Sequence, residues 1–197
     1  MSEANILIDY PAIDVARITL NRPSAANALN AACIEDMTRA VETLASSPGK
    51  LVIIAGAGAN FCAGADLKEP MDAPVFLTSV RALFDAIADM RQVTIAALSG
   101  AVMGGGFELA LACDFRVAAH STRIGLPEIR FGALPAAGGL ARLARVTSIP
   151  AAKWMIMSGQ AVTAEAAREL GLIDRLADGE VAEAALDMAN ALSCHAA

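Results

Sequence analysis

Two short runs, Leu51-Val52-Ile53-Ile54-Ala55 and Thr94-Ile95-Ala96-Ala97-Leu98, are apolar at almost every position. A strand of that kind has no polar side to turn toward water, so both of its faces must be covered, as happens in parallel sheets flanked by crossover helices. Each run leads into glycines and then into a helical pattern. After Gly56-Ala57-Gly58 the apolar residues Phe76, Val80, Leu83, Phe84, Ile87 and Met90 recur at helical spacing, and after Gly104-Gly105-Gly106 a helix is expected through Leu109-Ala110-Leu111, followed by a strand at Phe115-Arg116-Val117-Ala118. Alternation of this kind predicts an α/β architecture.

The rest of the chain extends the theme. Residues 5–10 and 13–20 read as a hairpin around Tyr10-Pro11-Ala12, and Leu29, Cys33, Met37, Ala40, Val41 and Leu44 mark a helix that stops at Ser47-Pro48-Gly49. Beyond Pro150 the pattern predicts helices at 151–157 and 164–170, a short strand at 172–176, and a last helix whose apolar stripe runs through Val181, Ala184, Ala185, Met188, Ala189 and Leu192. No linker or low-complexity tract interrupts the chain, so residues 1–197 are expected to form one domain, with a core over 1–149 and a helical C-terminal region over 150–197.

Composition narrows the function. At 56% hydrophobic and 18% charged residues the chain is apolar, which predicts that sister subunits cover part of its surface. The net charge of −6 comes without a basic run, and only 4% of residues are aromatic, so nucleic acid is not an expected partner. The first residues lack the charged and apolar regions of a secretory signal, and no apolar stretch approaches the ~20 residues that span a bilayer, so a cytoplasmic protein without membrane contact is expected. Cys33, Cys62, Cys113 and Cys194 form no CxxC pair and have only His120 and His195 for company; no metal site is expected, and the thiols read as buried or incidental.

Candidate chemistry gathers at the glycine-rich turns. A helix starting near Gly104 has unpartnered first N–H groups that attract an anion, and Gly105 and Glu108, three apart, share one face of its first turn. Glu108 then either points into the same space as an oxyanion donor or only complements the helix start. The stretch Phe61-Cys62-Ala63-Gly64-Ala65-Asp66-Leu67 is similarly open: Asp66 could simply cap a helix behind the Gly64 turn. Gly125-Leu126-Pro127-Glu128-Ile129 offers a second carboxylate just inside a short helix, again either a site acid or a solvated one. Two inward carboxylates divide acid and base labour between them. A dinucleotide fingerprint begins at Gly56-x-Gly58, but its third glycine position holds Phe61.

Taken in order, the pieces resemble the crotonase, or enoyl-CoA hydratase/isomerase, family. The resemblance runs through Leu20-Asn21-Arg22-Pro23, Asn27-Ala28-Leu29-Asn30, residues 61–67, residues 101–110, Cys113-Asp114, residues 125–128, residues 132–139 and Gly171-Leu172-Ile173. It implies a crotonase-like spiral of strand-strand-helix repeats with a reduced C-terminal helical region, since typical members continue for about sixty more residues. It also implies a substrate that is an acyl thioester of coenzyme A, with no separate cofactor. The N–H groups of Ala63 and Gly105 match the oxyanion positions, while Glu108 and Glu128 match the hydratase pair, Glu108 activating water and Glu128 delivering the proton. Substrate contacts are implied for Ala26, Ala65, Asp66, Leu67, Gly104, Pro135 and Ala136, the last standing where hydratases often carry glycine. Hydration of a trans-2-enoyl thioester is the leading activity and a homotrimer or hexamer the expected assembly; double-bond isomerisation, other crotonase chemistry, or a silent thioester-binding scaffold are the alternatives.

Overall fold

The computed structural model describes residues 4–68 and 74–193. An antiparallel hairpin of β1 (Ile6–Ala12) and β2 (Val15–Leu20) opens the chain. Its turn lies at Ile13-Asp14, two residues later than expected, so Tyr10, Pro11 and Ala12 belong to β1; Asp14, at φ 63°, takes the left-handed conformation at the second turn position. From β2 onward the main sheet is parallel, through β3 (Leu51–Gly56), β4 (Val93–Leu98), β6 (Phe115–Ala119) and β9 (Arg175–Ala177), in the order β1-β2-β3-β4-β6-β9. A second, three-stranded sheet joins β5 (Ala101–Met103), β7 (Arg123–Gly125) and β8 (Val162–Thr163). None of these three short strands has enough residues to show a period in the sequence, and β9 begins later than the strand expected at 172–176.

Strand alternation sorts the core into two layers. Ala16, Ile18, Leu20, Val52, Ile54, Ala96, Leu98 and Ala118 face one side of the sheet, where they meet α1 (Ala31–Ala45), α2 (Pro74–Ala88) and α3 (Gly105–Ala112). Val15, Leu51, Ile53, Ala55, Ile95, Ala97 and Val117 face the other and are covered by α7 (Val181–Ser193) through Ala184, Ala185 and Ala189. The apolar stripe of the last helix therefore packs on the chain's own sheet, and its small residues let the helix lie close to the strands. Both faces of β3 and β4 are buried, as their continuous apolar runs require.

Helix starts follow local chemistry. Asn30 caps α1 by accepting from Cys33 N at 2.9 Å, Ser148 caps α5 (Ile149–Ser158), and Thr163 caps α6 (Ala164–Glu169). A helix that periodicity did not reveal, α4 (Gly139–Val146), starts directly after Gly138 and brings the turn at 136–139 beneath α3. Arg116, almost fully buried, ties the sheet's last strand in place: its guanidinium donates to Leu172 O, Cys113 O and the Asp174 carboxylate.

The approach of α3 to the segment at residues 61–66 places the site. Cys62 pairs with Val102 as a single parallel bridge, donating to Ala101 O at 3.1 Å and accepting from Met103 N at 3.0 Å. At that distance Gly106 cannot carry a side chain: a Cβ built on it would stand 2.8 Å from Cys62 Cβ and overlap the Cys62 carbonyl. Gly106→Ala is therefore expected to destabilise the fold by about 1–3 kcal/mol despite alanine's better helix propensity, read as a lower urea midpoint; an unchanged midpoint would contradict this packing.

Candidate active site

A left-handed turn at Ala26 and Asn27, with φ of 49° and 56°, sets the site's first wall. Asn27 is buried and holds the turn by donating to Ala57 O at 2.9 Å and Asn60 O at 2.6 Å while accepting from Arg22 N. The turn presents Ala26 O to the N–H of Ala63 at 3.0 Å. Leu29 then pairs with Ala65 as a single parallel bridge, in which Leu29 N donates to Gly64 O at 2.8 Å and Asp66 N donates to Leu29 O at 2.9 Å.

This pattern corrects one expectation. The Ala63 amide is not a free oxyanion donor, because the Ala26 carbonyl occupies it. In the Leu29 pairing only the neighbours of Ala65 are engaged, so the Ala65 N–H has no acceptor among the described residues. Gly64, at φ 99°, turns the chain there in a conformation that a side chain disfavours; a Cβ on it would also meet Met103 O at 2.8 Å. Gly105 is the first residue of α3, and its N–H has no intrahelical acceptor. A Cβ built on Gly105 would stand 3.9 Å from Ala65 N, so the two free amides that lie side by side at this cavity are those of Ala65 and Gly105.

Two carboxyl groups face the same space from opposite supports. Glu108, in the first turn of α3 and 4% exposed, accepts through Oε1 from Ala137 N at 2.9 Å and Gly139 N at 2.8 Å. Burial raises its pKa, while those two amides and the Arg142 charge pull the other way. Arg142 itself donates to Ala137 O at 2.8 Å and pairs with Asp85 of α2, which holds the turn at 136–139 under Glu108. Glu128 sits in a 3₁₀ turn over Pro127–Phe131, and both of its carboxyl oxygens are buried without a partner among the described residues. Burial pushes its carboxyl from 4.5 up to about 7, opposed by its own amide and reinforced by the charge of Glu108. A Cβ on Gly104 would lie 3.2 Å from Glu128 Oε1, so this acid stands beside the start of α3.

The cavity between these groups measures about 160 Å³. Its polar end holds Gly104, Gly105, Glu108, Glu128 and the segment 63–65, and its apolar walls include Leu29, Phe76, Leu77, Val80 and Phe131. Of the residues expected to contact substrate, Ala65, Leu67, Gly104 and Ala136 line it; Ala26, Asp66 and Pro135 do not. Ala26 acts one step back through its carbonyl, and the Asp66 carboxylate is bound by Arg22 at 2.9 Å. In sequence Phe76 and Val80 show only the helical period of α2, which marks a packed face and carries no sign of a cavity wall. A larger groove of about 920 Å³ between α1 and α2 touches neither the free amides nor either acid.

The remaining candidates stay outside this chemistry. Burial pushes the Cys62 and Cys113 thiols up to about 12 and that of Cys33 to about 11, which leaves them as inert thiols. His120 is exposed and pairs with Glu165 at 2.9 Å, whereas Cys194 and His195 lie outside the described residues. Among the described residues no cluster of three or more His, Cys, Asp or Glu side chains could hold a metal, and no helix is long and apolar enough to cross a membrane.

Comparison with known proteins identifies the family and the fold. The family model described as enoyl-CoA hydratase/isomerase matches residues 12–196. The peroxisomal bifunctional enzyme of Danio rerio is 41% identical over 179 residues, covering 89% of this chain and 24% of that protein. The human mitochondrial enoyl-CoA hydratase domain-containing protein 2 is 40% identical over 187 residues, covering 91% of this chain and 64% of that one. The chain thus spans less than two thirds of the length of either relative. Among solved structures, the enoyl-CoA hydratase of Bacillus anthracis superposes with a TM-score of 0.92 at 35% identity, covering 96% of this chain and 76% of that one. With a matching sequence over nearly its whole length and a crotonase-like fold, the chain belongs to the enoyl-CoA hydratase/isomerase family.

Proposed function

We propose that the chain hydrates a trans-2-enoyl thioester of coenzyme A. The observation that carries this reading is the convergence of two unpartnered amides, at Ala65 and Gly105, with two differently solvated carboxyl groups in one cavity. When water adds to C3, the electrons of the double bond move toward the thioester and negative charge develops on its oxygen. Two fixed N–H donors stabilise that charge without reorganising, each worth about 3 kcal/mol of barrier.

The acids differ as the reaction requires. Glu108 has two backbone donors on one oxygen, which favours its charged form and leaves Oε2 to take a proton from water. Glu128, buried with no hydrogen-bond partner from another of the described residues, favours its neutral form and supplies the proton to C2. The hydroxyl forms the bond at C3, the proton from Glu128 completes C2, and the proton left on Glu108 balances the one given up. Isomerisation is the competing reading: an unpartnered Glu128 can also carry a proton between carbons of an enoyl chain. Mass separates them, since hydration adds one water and isomerisation adds none.

Glu108→Gln or Glu128→Gln is expected to lower hydration of crotonyl-CoA by about 10²- to 10⁴-fold with the fold intact; unchanged turnover in both variants would refute the pair. Because Glu128 must be protonated, kcat/KM is expected to fall as pH rises through about 7. A flat profile across that range would contradict its role as the acid.

The same shift affects stability. Between 4.5 and about 7 the folded chain keeps the Glu128 proton that the unfolded chain has released, so stability falls as pH rises through this window. Glu128→Gln is expected to reduce that fall, seen as urea midpoints at about pH 5 and about pH 8 that lie closer together than in the parent chain.

A further inference from the structure

We propose that Arg22 and Asp66 form a positioning pair that aims the Ala65 amide at the thioester oxygen. The inference rests on the acyl-thioester reading above and goes beyond it to residues outside the cavity. Ala65 keeps its N–H free because Leu29 engages only the residues on either side of it. That pairing is a single bridge, and the other backbone ties on the segment, at Cys62 and Ala63, lie on its N-terminal side, which leaves the stretch beyond Ala65 to be restrained from elsewhere.

Arg22 supplies the missing restraint. Its Nη1 donates to the carbonyl of Ala28, the residue before Leu29, and its Nη2 donates at 2.9 Å to the carboxylate of Asp66, the residue after Ala65. One planar guanidinium thus ties the two segments diagonally across the bridge, with a geometry that a lysine ammonium cannot reproduce. Its backbone is anchored as well: Arg22 N donates to Asn27 Oδ1, and Asn27 is fixed to Ala57 O and Asn60 O. Both charged side chains are partly buried, at 19% and 13% exposure, so salt screens the pair less than it does fully exposed ion pairs. Arg22 holds the Asp66 carboxyl below the usual carboxylate range, which favours the charged form that the pair needs. Neither residue lines the cavity, and both act through Ala65.

The test is the complete chain carrying Asp66→Asn or Arg22→Lys, with 2,4-hexadienoyl-CoA as a chromophoric probe. Hydrogen bonds to a thioester oxygen favour its charge-separated excited state and move its absorbance to the red. The parent chain is expected to shift the bound probe to the red and each variant to lose half or more of that shift. For crotonyl-CoA, kcat should fall about 10- to 100-fold with KM changed less than about threefold, as expected for a donor displaced by a fraction of an ångström. Circular dichroism identifies folded variants, and should one fail to fold the other decides by the same readouts. A folded variant with the full red shift overturns the proposal, whether or not its kcat falls. Absence of any shift in the parent chain overturns the thioester reading and this inference with it, an outcome distinct from a shift retained in the variants.

Discussion

Two single-residue pairings, Cys62 with Val102 and Leu29 with Ala65, hold the segment at 61–66 between the turn at Ala26-Asn27 and the start of α3. Each pairing engages alternate backbone groups, so together they decide which amides are consumed within the fold and which are left over. Ala63 is consumed by Ala26 O, and Ala65 is left over. The nearby first turn of α3 leaves the Gly105 amide open by the ordinary logic of helix ends, and Gly64 and Gly106 keep side chains out of the space where the backbones meet. Two free amides on the wall of one cavity suit an anionic or strongly polar occupant, since unpartnered N–H groups at a helix start attract negative charge.

The same economy of partners separates the two acids. Both are buried, and burial alone would raise both pKa values together. The turn at 136–139 breaks the symmetry by giving Glu108 two N–H donors, while Arg142 clamps that turn against Asp85 of α2. Glu128 receives nothing comparable. The two carboxyl groups are therefore distinguished by the supply of backbone donors rather than by side-chain identity, and the helix that forms part of the apolar wall also steadies the polar end through Asp85.

Much of this was legible in the residues. Continuous apolar runs at 51–55 and 94–98 disclosed a sheet buried on both faces, and the spacing of Gly105 and Glu108 put donor and acid on one helical turn. The clean stripe of α7 announced a packing partner, which proved to be the chain's own sheet. What remained hidden depended on pairings distant in sequence. In residues 61–66 nothing local says whether residue 63 or 65 keeps its amide, because that choice is made by a left-handed turn at 26–27 and the register of Leu29. Strands of two or three residues, such as β5, β7 and β8, are too short to carry a period, and α4 begins at Gly139 behind a Gly138 cap, a start that no side-chain capping signal announces. Nothing local in sequence marks Arg22 or Arg142 as buried anchors, because their partners, Ala28 O and Asp66 for one and Ala137 O and Asp85 for the other, are brought to them by the fold.

The most direct measurement is a crystal structure of the chain with butyryl-CoA, a saturated thioester that cannot be hydrated. The thioester oxygen is predicted to lie about 2.7–3.1 Å from the backbone nitrogens of Ala65 and Gly105, with the carboxyl groups of Glu108 and Glu128 flanking C2 and C3 of the acyl chain. A thioester oxygen bound away from either nitrogen, or an acyl chain seated outside the space between the two acids, would contradict the account.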